Sequence, residues 1–298
     1  MPTITSVTNP QLFPLYYEKK LLEYVKENLV VLRYGQKYSF QTQSGRTARF
    51  TRFVPLSVST TPITDLPTPT SGASISSQYV EASINEYGNY IDLDEFSDIT
   101  AFTPLLDIST DLLSYNSQQV LDKVGMNEIT NGTNVIYAGG VTSRSSLDGT
   151  KLISQSNIRN AVNLLQRQNI QPYEDGYYVC FIHPDKLLEL FTENNLITLA
   201  NAKLDTFEKG VVAQAFGVKF VITTAMPIVT NGGTPPKDVY LTMVIGKNSY
   251  GVVDLDGNSI QMSFTNLDKL GRIKTVGWKA YFTAKRLYEP ALVRIESN

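Results

Sequence analysis

The sequence predicts an α+β protein made of projecting arms, one long helix and a mixed helix–strand body. Three observations carry this. Residues 103–132 (TPLLDISTDLLSYNSQQVLDKVGMNEITNG) hold a helical pattern without a break. The stretch before them alternates apolar and polar residues around Pro-rich punctuation. The stretch after them alternates amphipathic helical segments with short continuous apolar runs, the pattern of strands buried on both faces.

Residues 1–14 are polar and carry Pro2, Pro10 and Pro14, so they are expected to be extended and poorly self-supporting. From Leu15 to Leu29 the pattern turns helical. Tyr17, Leu21, Tyr24, Val25 and Leu29 share a face opposite Glu18, Lys20, Glu23 and Lys26. That face needs a partner, either the body or another subunit. Ala48, Phe50, Val54 and Leu56 then alternate with Thr47, Arg49, Thr51 and Phe53, which is strand periodicity. Residues 57–72 are rich in Ser, Thr and Pro (Pro62, Pro67, Pro69) and exclude a helix or an inner strand. Alternation resumes with Val80, Ala82 and Ile84 against Tyr79, Glu81 and Ser83. The reading is a two-stranded arm with a Pro-rich tip, reaching ~30 Å in about ten residues. A lone hairpin is marginally stable, so a neighbouring molecule is expected to hold it.

In the long helix, Thr103 is a suitable N-cap and Pro104 fits the first helical position. Asp107 lies near the positive end of the dipole. Leu106, Leu113, Val120 and Val124 form a stripe, with Leu105, Ile108, Leu112 and Leu121 beside it. Asn131-Gly132 supplies the stop. At ~1.5 Å per residue the helix spans roughly 40 Å, which is long for a globular protein. Helices follow over 156–168 and 185–194, and strands over 176–182, 216–224, 239–245 and 251–255. Val276, Trp278, Ala280, Phe282 and Ala284 share one strand face near the end, and Val293 and Ile295 continue in a last strand.

Composition narrows the function classes. Lys plus Arg (26) nearly balance Asp plus Glu (28), for a net charge of -2, so no strong case exists for tight DNA or membrane binding. One cysteine excludes an internal disulfide framework. The N-terminus lacks the basic and apolar regions of a signal peptide, and no apolar run is long enough to span a bilayer. Synthesis in a cytoplasm is the expectation. His183 stands three residues after Cys180, so a Cys–His nucleophile is conceivable. Cys180 nevertheless lies inside an apolar run, which favours a buried thiol and a turn-forming histidine. One His and one Cys cannot furnish a structural zinc site. Asp92, Asp94, Glu95 and Asp98 lack the glycine and distal Glu of a calcium loop and read as a solvated strand end. Asp254-Leu255-Asp256-Gly257 reads as a turn. Gly246-Lys247-Asn248 lacks the rest of a phosphate-binding loop. Arg46, Arg49 and Arg52 either meet acidic surfaces of a neighbour or keep an edge strand soluble. No catalytic constellation, metal site or cofactor site emerges. What emerges is a set of long projecting elements that need company.

A resemblance fits that picture. Segments FVPL (53–56) with TTPIT (60–64), YGNY (87–90), GTNVIYAGG (132–140), GYYV (176–179) with HPD (183–185), FGVKFV (216–221), YGVVD (250–254) and TVGWKA (275–280) run in order along residues 45–298. Together they resemble the major capsid proteins of tailed bacteriophages, in the coat-protein family typified by N-four-type phages. The resemblance implies a Hong Kong 97-type fold and a non-enzymatic role. It implies an N-terminal arm (1–43), an extended β-hairpin loop (44–98) and a peripheral domain with the long helix as spine (99–153). An axial domain (154–258) and C-terminal strands returning to the peripheral domain (259–298) complete it. It implies a coat protein that self-assembles into hexamers and pentamers of an icosahedral head enclosing double-stranded DNA. Subunit contacts are expected at Arg46, Arg49, Arg52, Pro62, Asp65, Pro67, Pro69, Tyr17 and Leu21. The partners implied are further copies in neighbouring capsomers, with scaffolding, portal and decoration proteins as further candidates. No built-in scaffold segment precedes the arm, so a separate scaffolding protein is expected. Two rivals stay open: an encapsulin-like compartment shell enclosing cargo proteins, and a two-layer α/β hydrolase.

Overall fold

The computed structural model describes residues 21, 29–39, 45–54, 56, 58, 60, 74–101, 105–192, 211–253, 260–266, 270 and 272–298. A short helix, Val30–Tyr34, leads into β1 (Gln36–Tyr38). β2 (Thr47–Phe53) and β3 (Ser77–Ser83) pair antiparallel, Thr47 opposite Ser83 and Phe53 opposite Ser77. The paired arm read from the alternation is therefore present. β4 (Asn85–Asp94) continues β3 almost without a break, and Glu95–Thr100 forms a short helix capped by Asp94, whose carboxylate accepts the Ser97 N–H. The long helix runs Leu105–Thr130 and stops before Asn131-Gly132, as expected. Thr103 and Pro104 lie outside the described residues.

Beyond it come β5 (Val135–Tyr137), the helix Gln155–Arg167, β6 (Tyr178–Ile182) and the helix Pro184–Thr192. Ser154 and Asn157 close a capping box on the first of these helices. The strands β7 (Val211–Ala215), β8 (Val218–Ile222), β9 (Ile228–Val229), β10 (Val239–Ile245), β11 (Tyr250–Val253), β12 (Ile260–Asn266), β13 (Ile273–Phe282), β14 (Ala284–Arg286) and β15 (Leu292–Ser297) complete the chain.

A seven-stranded sheet runs in the order β5-β15-β10-β6-β8-β7, with β9 on β10. It separates two cores, which is why β6 reads as an unbroken apolar run. Val179 and Phe181 face the core that includes Leu121, Met126, Met243 and Leu292. Tyr178, Cys180 and Ile182 face the other, with Ile158, Val162 and Leu165 of the Gln155–Arg167 helix. The last strand, β15, sits inside this sheet between β5 and β10.

A second sheet, β12-β13-β4, lies against the long helix. Val276, Trp278, Ala280, Phe282 and Ala284 are all buried, as the alternation required. Asn116 of the helix ties the two together, its Oδ1 accepting from Trp278 Nε1 (3.2 Å) and Asn89 Nδ2 (3.3 Å).

The predicted stripe of the long helix faces the core, with Leu113 and Leu121 buried and Leu106, Val120 and Val124 packed against the same cluster, but the buried face is wider and more polar than its leucines suggested. Ile108 and Leu112 are exposed, and the buried set is Ser109, Thr110, Leu113, Ser114, Ser117, Leu121, Asp122, Gly125, Met126, Ile129 and Thr130. Small side chains let the helix backbone approach its neighbours closely. The hydroxyls of Ser109, Thr110, Ser114, Ser117 and Thr130 donate to carbonyls three or four residues back, so their burial leaves no open donor.

Candidate assembly interface

The β2–β3 hairpin is seated on the body by one face, and its other face is bare. Ala48, Phe50, Ala82 and Ile84 pack with Val253 into a small core. Phe50 lies over Gly251, where a Cβ would come within 2.4 Å of the ring, so a glycine is needed for this close approach. Arg52 stacks on Tyr288 at 3.4 Å, a second hold by the same chain. The chain thus covers one face of the hairpin itself. On the opposite face Phe53 (68% exposed) and Tyr79 (62%) point to solvent, and beyond the paired strands so do Val58 (90%) and Ile75 (79%).

The three arginines do not act as one patch. Arg49 pairs across the strands with Glu81 (2.6 Å) and lies over Tyr79 at 4.6 Å. Its partner Glu81 raises its pKa further, through the hydrogen bond and through charge. Arg52 is committed to Tyr288, and Arg46 is exposed where β2 begins. Leu21 is fully buried in the core beside the long helix. It is therefore covered within its own chain. Tyr17, Pro62, Asp65, Pro67 and Pro69 lie outside the described residues.

Sequence reasoning missed a second exposed apolar group. Phe96 (74%) and Ile99 (76%) stand on the short helix Glu95–Thr100, and Ile108, Leu112 and Tyr115 line the outer side of the long helix. Monomeric proteins rarely leave apolar side chains in such groups on one face. For the long helix the signal was present in the sequence: Ile108, Leu112 and Tyr115 sit opposite Ser109, Thr110, Ser114 and Ser117, which look polar but are buried.

The polar candidates resolve into structural roles. Asp92 accepts from the Thr275 hydroxyl (2.6 Å), Asp94 caps the short helix, and Glu95 pairs with Lys274 (3.4 Å). Among the described residues no acidic or Cys/His group is arranged to hold a metal ion. Cys180 is fully buried, and burial pushes its thiol pKa up, away from the thiolate a nucleophile needs. His183 sits at the start of the Pro184–Thr192 helix, its Nδ1 3.2 Å from an Asp185 carboxylate oxygen and its ring 5.2 Å from that of Tyr240. Asp254 to Gly257 fall outside the described residues.

The sequence profile of a family described as phage capsid protein matches residues 78–295. No curated protein matches the sequence. Among solved structures, the capsid of Ralstonia phage GP4 aligns with a TM-score of 0.72 at 14% identity, covering 88% of this chain and 86% of that one. The head structure of Helicobacter pylori bacteriophage KHP40 aligns with a TM-score of 0.67 at 13% identity, covering 87% and 86%. The holo-SrpI encapsulin complex from Synechococcus elongatus PCC 7942 aligns with a TM-score of 0.58 at 9% identity, covering 92% and 89%. At such identities the structures establish a common fold, the Hong Kong 97 type, and the profile establishes the family.

Proposed function

Because the chain belongs to the phage capsid protein family, we propose that it is the major capsid protein of a tailed bacteriophage head, assembling as hexamers and pentamers around double-stranded DNA. The family is one of structural proteins, and its members form the shell of the virion. The observation that carries the finer reading is the half-seated hairpin. One face is fixed by Phe50 and Arg52, and the other presents apolar side chains that stay exposed among the described residues. The outer side of the long helix, with Ile108, Leu112 and Tyr115, offers a matching surface on the next copy. Laying one subunit's hairpin across the next subunit's helix buries both groups. It also turns many weak contacts into one cooperative closure.

In this reading residues 1–43 form an arm, 44–98 the extended loop, 99–153 and 259–298 the peripheral region around the spine helix, and 154–258 the axial region around the capsomer axis. Tyr17, Pro62, Asp65, Pro67 and Pro69 belong to the contact set. Arg46 and the Arg49–Glu81 pair lie at the rim of the contact. The net charge of -2 suits a shell that encloses DNA without gripping it, since a strongly basic lining would add a large salt-sensitive affinity. Scaffolding, portal and decoration proteins are the remaining partners of such a shell, and the host cytoplasm is where it is made.

The test is deletion of residues 59–72. The expected product is soluble and folded but forms no shells in electron micrographs, whereas normal-sized shells would overturn the hairpin's role. The encapsulin among the structural neighbours keeps a second reading, a compartment shell with protein cargo. The contents of the purified particle decide between them: nucleic acid for a phage head, protein for a compartment.

A further inference from the structure

Asp122 is a carboxylate in the middle of the long helix, and only 1% of its surface is exposed. Its oxygens accept the backbone N–H of Val31 (3.1 Å), the backbone N–H of Val30 (3.4 Å) and the side-chain N–H of Gln118 (2.9 Å). All three donors are neutral. A buried carboxylate is usually paired with a cation, so this arrangement is unusual. Among the described residues, the titratable groups on the elements packed around it are Tyr250 on β11, Tyr34 and Arg33 on the short helix, Lys37 on β1, Lys123 and Glu128 on its own helix, Tyr173 ahead of β6, and Lys285 and Arg286 on β14, where Lys285 pairs with Glu128 (3.0 Å) and Arg286 with Glu289 (3.4 Å). Arg33, Lys37 and Lys123 are exposed. Tyr250 and Tyr173 spend their hydroxyls on the same segment: Tyr250 donates to the Val31 carbonyl (2.7 Å) and Tyr173 to the Tyr34 carbonyl (2.9 Å).

Packing completes the seat. Val31 is fully buried and rests on Gly125, where a Cβ would come within 2.6 Å of its methyl group. Leu29, which precedes the short helix, makes no side-chain cap of its own. Asp122 therefore supplies from a distant part of the chain the acceptor that the Val30 and Val31 amides need.

We propose that Asp122 and Gly125 form a latch for residues 29–35, closed most firmly when Asp122 is protonated and loosened when it ionises. Burial raises the Asp122 carboxyl from its ordinary 3.8 to about 6, against the opposing pull of its three hydrogen bonds. Opening the latch returns the group to water and to its ordinary value. The sign follows from the raised value. The closed state is fully favoured below about pH 4, loses ground as pH rises through 6, and is level above that. The segment that the latch fixes leads into β1, so the latch sets how firmly residues 29–35 hold to the long helix.

Hydrogen exchange on the full chain, read by mass spectrometry and corrected for intrinsic rates, tests this at pH 4.5 and 7.5. Protection over residues 29–35 is expected to fall roughly 25-fold between the two, while β10 (Val239–Ile245) keeps its protection. In Asp122→Asn the fall is expected to vanish. A wild-type profile that does not change with pH overturns the latch. So does a parallel fall in β10, which would mean global unfolding, and so does an Asn variant with the same fall. Should Asp122→Asn not fold, Gly125→Ala serves instead. It crowds Val31 without touching the carboxyl, so protection should drop at both pH values with the wild-type slope kept, and loss of that slope overturns the proposal.

Discussion

Strands β6 and β2 are both extended and both paired along their length, yet they live in different surroundings. β6 lies in the middle of the seven-stranded sheet with every one of its residues buried, and it reaches a core on each face. β2 alternates, with Ala48 and Phe50 buried and Arg49, Thr51 and Phe53 exposed, and the only strand it pairs with among the described residues is β3. The difference teaches which parts of the chain are complete in themselves. β6 is covered on both faces by its own chain. The hairpin is covered on one face, and on the other Phe53 and Tyr79 stay exposed.

Changes in the two regions should therefore separate stability from assembly. The largest effect is expected from Phe181→Ala in β6. Removing a fully buried aromatic ring should cost about 3–5 kcal/mol, seen as a lower denaturation midpoint at unchanged m-value. A smaller loss would show that the two cores collapse onto the gap. Next comes Gly125→Ala, where the added methyl forces Val31 to shift, with an expected cost of about 1–3 kcal/mol in the same measurement. The double change Phe53→Ser with Tyr79→Ser removes exposed apolar area from the hairpin. The soluble chain should move by less than about 0.5 kcal/mol, while shell yield in sedimentation drops sharply. A large stability loss there would erase the distinction between the regions. The smallest effect is expected for Arg49→Ala. The pair with Glu81 is exposed on both sides, so the midpoint should not move measurably at 0.15 M salt.

Much of this architecture was legible in the residue pattern. The continuous run at 176–182 gave a doubly buried strand, the alternation at 276–284 a half-buried one, and the Ala48/Phe50 and Ala82/Ile84 registers a paired arm. In each, apolar side chains recur at the period of the element, and burial follows hydrophobicity. β4 and β12 were not legible. Their burial is partial, their polar content high, and they are strands because β13 lies between them. The buried Ser/Thr positions of the long helix, beside its legible apolar stripe, were missed for a related reason. Ser109, Thr110, Ser114 and Ser117 look like a solvated side, but their hydroxyls are satisfied within the helix and their small size suits a close approach.

By itself, then, the sequence determined the long helix, the apolar strands of the central sheet, the arm and the family resemblance, because each is written in local periodicity or in ordered short segments. Only the tertiary structure decided that Ser109, Thr110, Ser114 and Ser117 are buried beside the apolar stripe of that helix, that one face of the hairpin is gripped by Gly251 and Tyr288, and that Asp122 reaches back to the amides of Val30 and Val31. Those outcomes depend on groups far apart in the chain, whose fit is set by shape and by hydrogen-bond satisfaction, and neither leaves a periodic mark in the order of residues.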